Sequence, residues 1–216
     1  MKPAGRWCFG VTSLSVFLGL VIQVIVAVHF EEGFFDTPAK RALNVFAFFS
    51  IQSNIFVAAT TLLLALNPNR SSTTFKVARL TGIVAISITF VVFHAVLSKL
   101  VDLESWALVA DNLLHTVVPA LAVVGWLIFG PRNLTDRRVM WLSLLFPLAW
   151  CAFTLIRGEF VGWYPYPFID VGVLGYGKVL VNSLWIGVLY LGVAGGFTGS
   201  DGWLARVSGA PNRVES

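Results

Sequence analysis

The sequence predicts an all-α polytopic membrane bundle of about six transmembrane helices, and three observations carry that prediction. The 216 residues are 57% hydrophobic and only 12% charged, about half the charged fraction usual in a soluble domain. Mean hydropathy is +0.81. The apolar residues also gather in blocks near or above the roughly 20 needed to cross a hydrocarbon core of about 30 Å. A water-soluble fold would place them on one face of shorter helices instead.

In chain order the expected spans are 7–29, 42–66, 80–97, 107–129, 139–156 and 179–197, all within a single domain, 1–216. The first block follows a basic start, as a signal peptide would. It is longer than a signal peptide's apolar core and is followed by no small-residue cleavage site, so it reads as a retained helix. Asn67-Pro68-Asn69-Arg70 and Gly130-Pro131-Arg132-Asn133 are turn sequences separating the second, third, fourth and fifth spans. The stretch 158–178 differs from both. It carries Pro165 and Pro167, five glycines, and Trp163, Tyr164, Tyr166 and Phe168. Tyr-Pro-Tyr-Pro favours extended backbone and the aromatics suit a membrane–water boundary, so a lid or interfacial loop is expected there. A polar tail, 198–216, ends the chain. Gly187, Gly192 and Gly196 in the last span are expected to permit close helix packing, the last two having small-xxx-small spacing.

Lys and Arg give the bundle an orientation. Ten lie at the amino end, in the second and fourth loops and in the tail, against five in or beside the odd loops. The positive-inside rule then places both termini in the cytoplasm, here of a bacterial cytoplasmic membrane. The net charge of +4 and pI near 9.3 do not point to nucleic acid, because the basic residues form no stripe with aromatics. Cys8 and Cys151, far apart in the chain, provide no disulfide framework.

Ionisable and strongly polar groups inside spans are costly and so mark function. The second span carries Ser50-Ile51-Gln52-Ser53-Asn54; Ser50, Ser53 and Asn54 share a helix face. Counted from Ala42, Ser50 lies about 12 Å below the outer end of its helix. His115 lies about 12 Å below Ala107, and His94 about 6 Å from Ser98. All fall in the outer half of the membrane. Asp111, Asn112, His115 and Pro119 form a stripe in the fourth span. Pro119 cannot donate to the carbonyl of His115, so an irregular turn is expected at this histidine.

A hydroxyl beside an imidazole is the minimal pair for nucleophilic acyl transfer, with the imidazole taking the hydroxyl proton. Ser50 and His115 are therefore the catalytic candidates. Asp111 stands one turn from His115, where it can orient the ring, and Gln52, Asn54 and Tyr166 are candidate oxyanion donors. Asn112 and Asp170 complete the supporting set. Each has a bland alternative: a membrane serine usually bonds its own i−4 carbonyl or a neighbouring helix.

Three segments at these positions, Phe49-Ser50-Ile51-Gln52-Ser53-Asn54, Asp111-Asn112-Leu113-Leu114-His115-Thr116-Val117-Val118-Pro119 and Tyr166-Pro167-Phe168, resemble the androgen-induced and androgen-dependent TFPI-regulating membrane proteins and their bacterial six-helix relatives. The order and topology match over most of the chain. The resemblance implies an integral-membrane hydrolase of fatty acid esters of hydroxy fatty acids, with a threonine nucleophile and a histidine. The histidine carries over to His115 and the threonine to Ser50, a departure that keeps the hydroxyl and drops a methyl group. No cofactor is implied; the expected partners are membrane lipids and an amphiphilic lipid substrate. Two other classes stand beside this one. His29, His94 and His115 can be read as ligands for zinc or haem, although their spacing forms no compact motif. A non-catalytic membrane module or a small transporter is the third class, against which the missing inverted repeat weighs.

Overall fold

A computed structural model describes residues 2–31, 33–100 and 102–208. Among these the chain is helical with no strand. The helices are α1 (Pro3–His29), α2 (Pro38–Val45), α3 (Phe49–Leu66), α4 (Thr73–Ala95), α5 (Ser105–Asn112), α6 (Val118–Phe129), α7 (Arg137–Ser143), α8 (Leu145–Val161) and α9 (Val171–Val207). A π-helical turn, Leu113–Val117, joins α5 to α6. Among the described residues six stretches are long and apolar enough to cross a membrane: α1, α3, Thr73–Lys99, Ser105–Phe129, Arg137–Val161 and α9. The protein is therefore an all-α, polytopic integral membrane protein.

α4 is the central helix, packed against α3, α6, α7 and α9. Leu80, Val84, Ala85 and Ile86 along it are fully buried. α1 lies on the other side of α3 and also touches the α5–α6 span. Their close approach depends on glycines the apolar pattern did not single out. A Cβ on Gly82 would meet the α3 backbone at Phe56 and Val57, 3.3 Å away, and one on Gly19 would press into Leu114 at 2.8 Å. Gly187, Gly192 and Gly196 do not have the packing role expected of them within the described bundle: a Cβ at any of the three meets nothing within 4 Å, and Gly192 and Gly196 are exposed. Both cysteine thiols are free.

The second span departs from expectation at its start. The sequence pattern runs unbroken from Ala42, but the helix stops at Val45 and restarts at Phe49. No proline or glycine causes this. Side chains from elsewhere hold the exposed carbonyls of the broken turn: Gln52 Nε2 donates to Phe46 O at 3.0 Å, and Trp150 Nε1 donates to Ala47 O at 3.0 Å. α2 before the break is a short helix capped by Thr37, whose hydroxyl accepts from the Lys40 amide at 3.3 Å. Ser50 therefore sits in the first turn of α3, not some 12 Å below a helix end.

The aromatic stretch also contracts. α8 continues to Val161 and α9 begins at Val171, so the strap between them shortens to 162–170, and Gly175, with φ of 72° and ψ of 157°, kinks α9 near its start. Gly162 makes the turn with φ of 72°, a conformation that favours glycine. A Cβ on Gly158 would overlap the Tyr164 ring, so this glycine lets the strap fold back over α8. Asn182 Nδ2 donates to Phe168 O at 2.8 Å and fastens the strap to α9.

Candidate active site

The break before α3 gives Ser50 its setting. The first amides of a helix have no intrahelical partner. Here the Ser50 amide donates to the Tyr166 phenol oxygen at 3.3 Å. The phenol therefore caps α3 from the strap, and it lies beside the Ser50 hydroxyl as well. Tyr166 is held by rings: it stacks on Phe168 at 5.2 Å and meets Phe48 edge-on at 5.8 Å. Phe48 continues to Trp163 and Trp163 to Phe35, each pair at 5.6 Å. Burial pushes the Tyr166 phenol pKa up, opposed by the hydrogen bonds at the α3 terminus; the group remains a hydroxyl at neutral pH.

His115 lies in the middle of the π-helical turn. The irregularity expected at this residue is present, but its form differs. The Val118 amide bonds the carbonyl of Leu113, five residues back. In that register the next carbonyl, of Leu114, finds the Val118 amide already taken and faces Pro119, which has no amide hydrogen. Asn54 fills the vacancy: its Nδ2 donates to Leu114 O at 3.1 Å and to Ser50 O at 2.8 Å. The carbonyl that gains a side-chain donor is thus that of Leu114 rather than that of His115, because the π turn shifts every partner by one residue.

The imidazole is fixed on two sides. Its ring stacks on Phe93 with centroids 4.2 Å apart and planes 9° apart. Nδ1 lies 2.9 Å from Asp111 Oδ1. Among the described residues no acceptor lies in line with an N–H at that atom, so the contact is a close approach rather than a linear hydrogen bond. Asp111 is half-buried in this position.

Ser50 and His115 line the same cavity, of about 150 Å³. Its walls are almost wholly apolar, with Phe49, Ile88, Val92 and Trp150 prominent and Tyr166 at one end. No hydrogen bond joins the Ser50 hydroxyl to the His115 ring among the described residues; the two residues line one space. Apo geometry of this kind commonly tightens only around substrate.

The other expected residues fall elsewhere. Gln52 braces the helix break and does not line the cavity. Asn54 is fully buried one turn below Ser50, with Nδ2 committed to the two carbonyls and Oδ1 unpartnered. Asn112 is exposed and bonds Leu108 O at 3.0 Å, and Asp170 caps α9 through the Val173 amide at 3.2 Å. His94 is exposed and pairs through Nε2 with Thr116 Oγ1 at 3.1 Å. His29 bonds Ile25 O at 2.8 Å at the end of α1. Among the described residues no three His, Cys, Asp or Glu side chains converge as metal ligands would.

Two contributors had no clear mark in the sequence. Phe93 supplies the face on which the imidazole lies. Thr89 lines the cavity and pairs with Ser53 Oγ at 3.1 Å. Thr89 lies in the span that also carries His94, so a hydroxyl within an apolar helix was the available signal. No family model, curated protein or solved structure matches the chain.

Proposed function

We propose that this protein is an intramembrane lipid-ester hydrolase of the bacterial cytoplasmic membrane, with both ends inside, and that Ser50 is its nucleophile and His115 its base. The observation that carries this is the shared cavity: a hydroxyl and an imidazole open into one apolar space within a membrane-spanning bundle. An ester with a hydrocarbon tail fits such a lining, and the resemblance to hydrolases of fatty acid esters of hydroxy fatty acids names the first substrates to try.

Each step has a residue for it. Ser50 Oγ attacks the ester carbonyl carbon while its proton passes to His115 Nε2, the ring nitrogen not engaged by Asp111. Asp111 stabilises the imidazolium that forms. The carbonyl oxygen becomes an oxyanion at the start of α3, where helix amides and their dipole favour negative charge. The Tyr166 phenol accepts from the Ser50 amide and retains its own O–H to donate to that oxygen. The C–O bond to the alcohol then breaks and the alcohol leaves with the proton from His115. Water, deprotonated by His115, attacks the acyl-serine. The acid is released and the proton returns to Ser50.

A fluorophosphonate probe on the purified protein tests this. Covalent labelling is expected in the wild type, with loss in Ser50→Ala and strong slowing in His115→Ala. Labelling of Ser50→Ala at the wild-type rate would remove Ser50 as the nucleophile.

A further inference from the structure

The cavity beside Ser50 has a long axis and an open side. On α4 its wall runs from Phe93 to Ile88, about 7.5 Å along the helix, and Leu97 in the turn beyond the helix end extends it. Leu144, just before α8, lines it together with Leu148 and Cys151 of α8, and α9 supplies Ser183 and Gly187. These two helices follow one another through the strap and run in opposite directions, so Leu144 and Gly187 both lie at the end away from Tyr166. α8 and α9 pack sparsely against each other; Cys151 Sγ and Ser183 Oγ meet at 3.7 Å. Leu148, on the α8 wall, is 63% exposed. The cavity edge is therefore continuous with the apolar outer surface of the bundle.

Gly187 has a distinctive place in this wall. It lines the cavity, yet a Cβ built there meets nothing within 4 Å. No neighbouring side chain or backbone requires a glycine at this position. Its effect is to leave the deep end of the cavity empty.

We propose that the seam between α8 and α9 is a lateral port by which one hydrocarbon chain enters from the lipid, and that Gly187 sets how deep it reaches. The occupant follows from the chemistry of the wall. Away from Ser50 and His115 the lining is apolar and offers ordered water few partners, and an apolar space of this order, about 150 Å³, holds a benzene-sized group. That is room for a single-chain segment on the order of six carbons, and too little for two chains or a sterol ring system. The assignment of this chain to an ester substrate rests on the proposed function; the entry of a chain does not.

The test uses a fatty acid carrying a terminal diazirine, photolysed with the full-length protein in lipid nanodiscs, with crosslinks mapped by peptide mass. Crosslinks concentrated in peptides containing 144–151 and 183–187 are expected in the wild type. They should persist in Ser50→Ala, so the port is read independently of catalysis. Gly187→Phe places a ring in the deep end and should reduce this labelling about tenfold. Gly187→Leu should reduce it less, providing a milder second variant. Gly192→Phe, at another open glycine outside the cavity, should leave labelling unchanged. Wild-type labelling of folded Gly187→Phe and Gly187→Leu, or crosslinks spread evenly over all lipid-facing helices, would overturn the proposal. Absence of hydrolysis with labelling intact would sink the catalytic assignment and leave the port standing.

Discussion

Asn54 and Pro119 should be energetically coupled although they lie on different helices and are far apart in sequence. Pro119 leaves the Leu114 carbonyl without a backbone donor, and Asn54 Nδ2 supplies one at 3.1 Å. Asn54→Leu keeps roughly the side-chain volume and removes the donor. The Ser50 carbonyl, its other acceptor, retains Ser53 Oγ at 2.8 Å, so one buried carbonyl is orphaned. An unsatisfied buried group costs about 1–3 kcal/mol, while interhelical polar contacts in membrane proteins average about 0.6 and reach about 1.7 kcal/mol. Loss of the unpartnered Asn54 Oδ1 offsets part of this. The expected net cost is about 1–1.5 kcal/mol, or a few degrees in Tm at about 2–4 °C per kcal/mol for a chain of this size. Pro119→Ala restores an amide five residues beyond Leu114, within reach of its carbonyl in the π register. In that background Asn54→Leu should cost less by about 1 kcal/mol. Reversible unfolding of the four variants in detergent micelles measures the cycle. Costs that add to within about 0.3 kcal/mol would refute the account of the π turn given above.

Tyr166→Phe removes the proposed oxyanion donor and the cap on α3, and should lower kcat by about 10²-fold with a smaller effect on KM; unchanged kcat would remove the phenol from the chemistry. Burial raises the Tyr166 pKa, so its hydroxyl holds its proton, and the stability tied to it is present below the unfolded value of about 10 and lost as pH rises above it. Hydrolysis should accordingly show no decline assignable to this group between pH 7 and 9, checked by comparing wild-type and Tyr166→Phe profiles. At the far end of α9 the buried Asp201 accepts from the Leu134 amide at 2.9 Å and from the Thr135 amide and hydroxyl at 3.1 and 3.0 Å. Asp201→Ala should destabilise by about 2–3 kcal/mol, seen as a lower Tm, and Asp201→Asn by less because its amide oxygen still accepts. Fluorophosphonate labelling well below the Tm should not change in either variant.

The sequence by itself determined the class of the molecule. Apolar blocks of membrane length, separated by polar turns, leave helices as the way to satisfy the backbone of each span in lipid, and six such stretches are present. It also drew attention to Ser50, His115 and Asp111, because polar side chains at membrane depth are costly and few, and to Tyr166 within the aromatic Pro- and Gly-rich stretch. The tertiary structure decided what those residues face. Phe46-Ala47-Phe48 reads as continuous helix because its residues are apolar and unbroken by proline or glycine; Gln52 and Trp150 hold the break by bonding its carbonyls. Trp150 lies about a hundred positions away in the chain, so no local pattern records that bond. That break brings Ser50 to a helix start under the Tyr166 phenol. Pro119 marked an irregular turn, but which carbonyl it frees depends on the hydrogen-bond register and on Asn54 from another helix. Local composition sets which segments become helices; contacts between distant segments set where they break and which side chains share the cavity.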